Sequence, residues 1–295
     1  MKILAFSDIH NNLDCLDRLI LQSQQVEYDC IVIAGDIGSE CIDEFFNKLS
    51  HINCPIYYVL GNWDSKVPYD KNFAPNVVHL HGKIVENSGY YFTGYSGCQT
   101  HWGKNDIYEK TMANNLTMLR GKYSKLLKKV EKAELKLNKT LQKSNHAVTP
   151  EVDDAQSILN ELIYSSDYFE YQGEREFARK EVYHNNRQMI FELISKKKEA
   201  ETNFNPNKVI VITHDKFGKL NQYLPWRPLA HLFGHKHNFQ HKKWQGIHFI
   251  NISHLDDKPH EHLFYKEKTP APTEGSYCII ELNENDAIST KIKLD

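Results

Sequence analysis

The chain has 295 residues, a formal net charge of −2 and 40% hydrophobic side chains, enough for one large domain or a domain with a sizeable insertion. The near-neutral balance argues against a protein whose main partner is bulk nucleic acid. The opening stretch MKILAFSDIH is too short in apolar residues for a signal peptide, and no apolar run reaches membrane-spanning length. Six cysteines (Cys15, Cys30, Cys41, Cys54, Cys98 and Cys278) are scattered without a C-x-x-C pair. They read as reduced thiols of a cytoplasmic protein, not as a disulfide framework or a zinc–thiolate site.

Taken in chain order, short runs rich in β-branched and aromatic residues each stop at a polar or glycine signal. KILAF runs into Ser7-Asp8-Ile9-His10, CIVIAG into Asp36, and IYYVLG into Asn62-Trp63-Asp64. Further on, KVIVIT runs into His214-Asp215 and LAHLFG into His235-Lys236-His237. Between the first three lie helical patterns, with Leu13, Leu16, Leu19 and Ile20 on one face and then Ile42, Phe45, Phe46 and Leu49. Strand–helix alternation predicts βαβ units, in which functional groups gather beyond the carboxyl ends of the strands.

The chain has 16 histidines, and most fall in ordinary polar surroundings; His231 and His248 sit inside strand-like runs as packed residues. A lone aspartate after a strand is usually a turn or helix cap. Capping does not explain five strand ends that all carry Asp, Asn or His, two of them as Asp-x-His and His-x-His pairs. Carboxylate, imidazole and amide oxygen without thiolate suit Mn²⁺, Fe²⁺ or Fe³⁺, Ni²⁺ or Zn²⁺. Seven such ligands are too many for one ion and suit two ions, roughly 3.5–4 Å apart, sharing a carboxylate.

The pattern Asp8-Ile9-His10, Gly35-Asp36, Gly61-Asn62-Trp63-Asp64, His214 and Gly234-His235-Lys236-His237 resembles the D-x-H, G-D, G-N-x-D/E, H and G-H-x-H blocks of the calcineurin-like metallophosphoesterase family. The blocks span residues 1–64 and about 208–253. The resemblance implies an α/β fold, a two-sheet αββα sandwich with a dinuclear metal centre at its edge. It implies Asp8, His10 and His237 on one ion, Asn62, His214 and His235 on the other, and Asp36 bridging. The implied reaction is in-line attack of a metal-bridging hydroxide on phosphorus, with Asp36, Asn62, His214 and Asp64 in the catalytic set.

One position departs from the family. Many members have histidine between the asparagine and the acidic residue, where it protonates the leaving oxygen; this chain has Trp63. An indole N–H only donates a hydrogen bond and gives up no proton near neutral pH. Trp63 is then either a packing residue or a stacking surface for a substrate base or sugar, and His101 is a candidate for the missing acid. Tyr95, Trp102 and Trp226 are weighed alongside Trp63 as stacking surfaces. These features favour phosphodiesters, of nucleotides or nucleic acid, over phosphomonoesters or phosphoproteins. The arginine-bearing G-D-x-x-D-R-G block of phosphoprotein phosphatases is absent. A non-catalytic scaffold, as in the retromer subunit with this fold, is the alternative from another class.

Between Gly97 and Lys208 the chain carries no family block. Residues 112–143 place Leu116, Leu119, Tyr123, Leu126, Val130, Ala133 and Leu137 at alternating spacings of three and four, a narrow coiled-coil-like stripe. Further helices are predicted at about 151–165 and 167–200. Residues 120–143 carry nine basic against two acidic side chains, and residues 150–181 carry nine acidic against three basic. Opposite charge at this distance predicts two arms that pair. The expected organisation is a single domain over 1–295 with a helical insertion at about 105–205, serving as a lid, a homodimer contact or a docking arm for a protein partner.

Overall fold

The computed structural model describes residues 1–68, 70–98, 118–145, 147–217, 227–258 and 274–295. Twelve strands lie among them: β1 (Lys2–Phe6), β2 (Cys30–Ala34), β3 (Ile56–Val59), β4 (Val77–His79), β5 (Ile84–Asn87), β6 (Tyr90–Tyr95), β7 (Val209–Thr213), β8 (Ala230–Phe233), β9 (Phe239–Trp244), β10 (Ile247–Ile252), β11 (Ser276–Asn283) and β12 (Asp286–Lys293). The helices are α1 (Leu13–Ser23), α2 (Ile42–Ser50), α3 (Ser124–Lys143), α4 (Pro150–Ile163) and α5 (Ser166–Ala200). No helix among the described residues is long and apolar enough to cross a membrane.

The strands form two mixed six-stranded sheets, ordered β12-β11-β1-β2-β3-β4 and β5-β6-β7-β8-β10-β9. The fold is an α/β sandwich of two sheets flanked by helices. Alternation along each strand explains its layers, because successive side chains leave opposite faces. On β1, Ile3 and Ala5 join Val32, Val59, Ile212, Leu232 and Ile250 in the core between the sheets. Leu4 and Phe6 face the other way, toward Leu16 and Leu19 of α1 and Phe45, Phe46 and Leu49 of α2. Each buried phenylalanine there contributes about 1.5–3 kcal/mol by removal from water.

Register then aligns the strand ends. In the first sheet Phe6 pairs with Ile33 and Ala34 with Val59, all in parallel, so the segments after β1, β2 and β3 leave side by side. In the second sheet Tyr95 pairs with Thr213, Ile212 with Leu232, and Phe233 with Asn251, again in parallel. The segments after β6, β7, β8 and β10 therefore leave along one edge of that sheet.

The strands and residues 185–295 belong to one compact unit, residues 1–108 and 185–295; residues 109–184 form a second, helical unit. Within the helical unit, Tyr123, Val130, Ala133 and Leu137 are buried, and Leu137 packs on Val152 and Ala155 of α4. Thr149 caps α4, accepting from the Val152 N–H, with Pro150 in its first turn. Lys122 pairs with Glu170 at 3.2 Å and with Glu174 at 2.5 Å, and Tyr123 Oη donates to Glu174. These ion pairs are exposed, so they orient the arms more than they stabilise them. Leu116 lies outside the described residues.

Candidate metal centre

Five of the residues at the strand ends hold a backbone conformation that L-residues avoid. Asp8 (φ 54°), His10 (52°), Asp36 (53°), His235 (67°) and His237 (48°) all sit in the left-handed region. Such residues cost on the order of 1–3 kcal/mol each and persist where surrounding bonds impose them. Those bonds are present: the N–H groups of Asp8, Ile9, His10 and Asn11 donate to the carbonyls of Gly35, Asp36, Asp36 and Ile37. Gly234 N–H likewise donates to the His214 carbonyl. The loops are zipped to one another, and their side chains turn toward a common point.

The two buried aspartates divide their oxygens in the same way. Asp8 Oδ2 accepts from Ser7 Oγ and from the His235 N–H at 3.0 Å, while Oδ1 faces His237 Nε2 at 3.3 Å and His10 Nε2 at 3.9 Å. Asp36 Oδ1 accepts from the Trp63 N–H at 2.8 Å, while Oδ2 faces His214 Nε2 at 3.2 Å and His10 Nε2 at 3.5 Å. One oxygen of each is held by the protein and the other is presented to imidazoles. His214 Nδ1 donates to the Ala34 carbonyl at 2.7 Å, which fixes the ring with Nε2 toward Asp36. His235 Nδ1 lies 3.2 Å from that Nε2.

Electrostatics follow from this crowding. Burial alone would lower the pKa of His10, but hydrogen bonds to Asp256 and Asp36 and the charges of Asp8 and Asp36 push it up to about 9. Burial is likewise overcome at His214, which Asp36 holds well above its ordinary value. For Asp8 and Asp36 burial pushes upward, yet the histidines carry both carboxyls well below their usual range. His235 moves the other way, lowered to about 4 by burial and by the charge of His214. Without a cation, protons on His10 and His214 neutralise the two carboxylates.

Asn62 and Trp63 are partly exposed and Asp64 is fully buried. Asp64 accepts from the Gly38 N–H through Oδ1 and the Gly61 N–H through Oδ2, both at 2.7 Å, and so clamps the second loop to the third. Burial and the charge of Asp36 raise its pKa to about 6. Gly61 must be glycine because a Cβ there would stand 2.2 Å from Asp36 Oδ1; at Gly234 it would stand 2.4 Å from Ser7 Oγ. The Trp63 indole lies against His10, ring centroids 4.4 Å apart.

Six of the seven expected ligands, all but Asn62, thus fall into overlapping groups, among them Asp8, His10 and His237, and Asp8, Asp36 and His214, with ligand atoms within 4.8 Å of one another in each. His235 joins His214 in a third group, whose other member is Cys98. Sequence reasoning passed over three neighbours. Asp256 Oδ2 lies 3.4 Å from His10 Nδ1, on the far side of the ring from Asp36. His254 stacks on His237 at 5.5 Å between centroids. Cys98 Sγ lies 3.6 Å from His235 Nδ1. All three follow strand ends, β10 and β6, so the rule that picked the first five runs also reaches them. Tyr95 is buried and packs edge-on against Phe217, away from any role as an open stacking surface. His101, Trp102 and Trp226 lie outside the described residues.

The donor set fits divalent cations. Asp8 Oδ1 and Asn62 Oδ1 are buried oxygens with no hydrogen-bond partner among the described residues, the arrangement expected of oxygens kept for a cation. A family model, the calcineurin-like phosphoesterase superfamily domain, matches residues 1–262. No curated protein matches the chain. Among solved structures, TT1561 of Thermus thermophilus aligns at 14% identity and TM-score 0.48, over 98% of this chain and 97% of its own. A second solved structure aligns at 12% identity and TM-score 0.51, over 100% of this chain and 99% of its own. An archaeal phosphodiesterase aligns at 11% identity and TM-score 0.41, over 99% and 100%. At 12% identity the likeness to the second structure concerns the fold alone.

Proposed function

The chain belongs to the calcineurin-like phosphoesterase superfamily, and from that membership we propose that it hydrolyses phosphodiesters with two metal ions. In this reading Asp8, His10 and His237 hold one ion, Asn62, His214 and His235 hold the other, and Asp36 is shared. The observation that carries it is Asp36: Oδ1 is tied to the Trp63 backbone, while Oδ2 stands between His214 at 3.2 Å and His10 at 3.5 Å, one histidine from each half. When bound, two such ions polarise a phosphoryl oxygen and make water a nucleophile at neutral pH. The ions are drawn from manganese, iron, nickel and zinc, the metals that N/O donors suit.

The protein's own groups supply position and charge. Asp256 orients the His10 ring, Asp64 fixes the loop that presents Asn62, and the Trp63 N–H turns Asp36. Trp63 offers an indole in place of an imidazole, so this position donates no proton to a departing oxygen. That favours diesters whose leaving group departs as a stable anion over simple alkyl phosphomonoesters. Trp63 is 38% exposed, and an exposed indole is a surface on which a nucleobase can stack, which supports nucleotide or nucleic-acid substrates. Metal analysis and a phosphoester panel on one purified, metal-loaded sample test the reading; turnover of monoesters with no activity on diesters would overturn it.

The helical unit, residues 109–184, is proposed to be an insertion within a single phosphoesterase domain, with its flanks reaching about 105–205. It serves a homodimer or protein contact, a reading supported by the exposed Tyr164, Phe169 and Phe177 of this unit. Replacing residues 109–184 with a short linker should leave a folded, metal-binding core. Loss of soluble protein across several linker designs would instead make the segment part of that core.

A further inference from the structure

After β6 the segment Ser96-Gly97-Cys98 is tied to the loop that carries Asn62. The Gly97 N–H donates to the Leu60 carbonyl at 2.8 Å, and the Leu60 N–H donates to Ser96 Oγ at 2.8 Å. This brings the Cys98 thiol, 1% exposed, against His235, with Sγ 3.6 Å from Nδ1 and 3.7 Å from Nε2. His235 Nδ1 is 3.2 Å from His214 Nε2, and Cys98, His214 and His235 offer three ligand atoms within 4.8 Å of one another.

Two of those spacings, Sγ to Nδ1 and Nδ1 to His214 Nε2, are close to the ones that one ion with near-tetrahedral angles imposes. Sγ, equally near His235 Nε2, must swing away from that nitrogen to share the ion. Bonds of about 2.3 Å to sulfur and about 2.0–2.1 Å to imidazole nitrogen put sulfur and nitrogen roughly 3.6 Å apart, and two nitrogens roughly 3.3 Å apart. A second observation lies on the loop that Ser96 and Gly97 bind: Asn62 Oδ1 is buried and has no hydrogen-bond partner among the described residues. With the shared Asp36, thiol, two imidazoles and an amide oxygen make five donors, of which one is soft.

We propose that Cys98 is a sulfur ligand for the ion held by Asn62, His214 and His235. The proposal rests on the two-ion reading above. Binding replaces the S–H bond by a sulfur–metal bond and releases the proton to solvent, as coordinated thiols do. A thiolate in one half and only oxygen and nitrogen in the other makes the two halves unequal. The Cys98 half selects zinc, or another ion that accepts sulfur, over manganese and magnesium, while the half built on Asp8, His10 and His237 does not share that preference.

Full-length protein stripped with chelator and titrated with Co²⁺ tests this directly, because thiolate ligation adds a near-ultraviolet sulfur-to-cobalt charge-transfer band to the visible ligand-field spectrum. Wild type should show the band at full occupancy. Cys98→Ser should lose it while still binding cobalt, and Cys54→Ser should keep it. In competition titrations Cys98→Ser should lower zinc affinity by about tenfold or more, with manganese affinity changed far less. Cys98→Ala serves as a second variant, with thermal unfolding checked for both. Cobalt bound to wild type without the band overturns the proposal and leaves the two-ion reading standing. A band that persists in Cys98→Ser also overturns it. Failure to bind cobalt at all overturns both.

Discussion

The indole of Trp63 lies against the imidazole of His10, centroids 4.4 Å apart with the planes inclined by 41°, while the Trp63 N–H holds Asp36 Oδ1 at 2.8 Å. One residue thus braces a histidine from the first loop and a carboxylate from the second. Its backbone role survives any side-chain substitution except proline, which lacks the N–H, and this separates the two contributions experimentally.

A positioned general acid contributes on the order of 10²–10⁴-fold by protonating the departing oxygen. With indole at position 63, rates on a series of diesters should fall steeply as leaving-group pKa rises: nitrophenyl esters fast, alkyl esters slow. Trp63→His supplies a titratable ring and should flatten that slope, raising alkyl-ester rates with metal content unchanged. A shallow slope in the wild type would mean that another group acts as the acid.

Asp36→Asn should abolish turnover and lower bound metal, because the amide keeps only one oxygen for the Trp63 N–H or for the imidazole side. His10→Ala removes a ligand from one half only and should leave more metal bound. Metal-to-protein ratios after dialysis against chelator, measured beside activity, decide the matter. Near-wild-type activity in Asp36→Asn would sink the shared-carboxylate assignment.

Asp256 touches His10 through Nδ1 and also accepts from Asn12 Nδ2 at 2.7 Å. It acts on the centre through His10. Groups that orient a ligand histidine in this way typically contribute 10–100-fold in metal affinity or activity. Asp256→Asn should therefore weaken metal binding by roughly 10–100-fold, and in the metal-free protein it should also lower the thermal unfolding midpoint at pH 7, where Asp256 pairs with protonated His10. Unchanged affinity, measured by calorimetric titration, would remove Asp256 from the site.

With its pKa at about 9 in the metal-free protein, His10 is protonated at pH 7 and must lose that proton to bind a cation. For the His10 proton, apparent affinity should rise about tenfold per pH unit between pH 7 and 9, and that contribution should flatten above. The linked stability has the opposite sense. A histidine whose folded pKa is raised contributes fully below its unfolded value of about 6.5 and loses that contribution as pH climbs through about 9. The melting temperature of chelator-treated protein should fall across pH 7–9, and calorimetry in buffers of different ionisation enthalpy should show proton release on metal binding. No proton release in that window would contradict the assignment.

Asp64 holds two buried N–H groups, those of Gly38 and Gly61. Asp64→Ala leaves both without an acceptor, at about 1–3 kcal/mol each. Urea unfolding should show a loss of that order, partly recovered in Asp64→Asn, which keeps one acceptor oxygen. An unchanged midpoint in Asp64→Ala would mean the loops find other partners.

The sequence by itself determined the α/β alternation and the strand ends at which polar groups gather, and the two-sheet sandwich followed from the family resemblance that those ends carry. Strand and helix periodicity report which face of each element is buried, and apolar runs ending in Asp8, Asp36, Asn62, His214 and His235 needed no three-dimensional information to be noticed. Only the tertiary structure decided which neighbours share the space beyond those ends. Cys98 stands 137 positions from His235 in the chain and Asp256 stands 246 from His10, and neither lies in a spaced motif. Their proximity comes from register, Tyr95 beside Thr213 and Phe233 beside Asn251, which pairs strands by hydrogen bonds that local composition does not encode. The left-handed turns at Asp8, His10, Asp36 and His235 are likewise held by bonds between loops, so they became visible only when the loops were seen together.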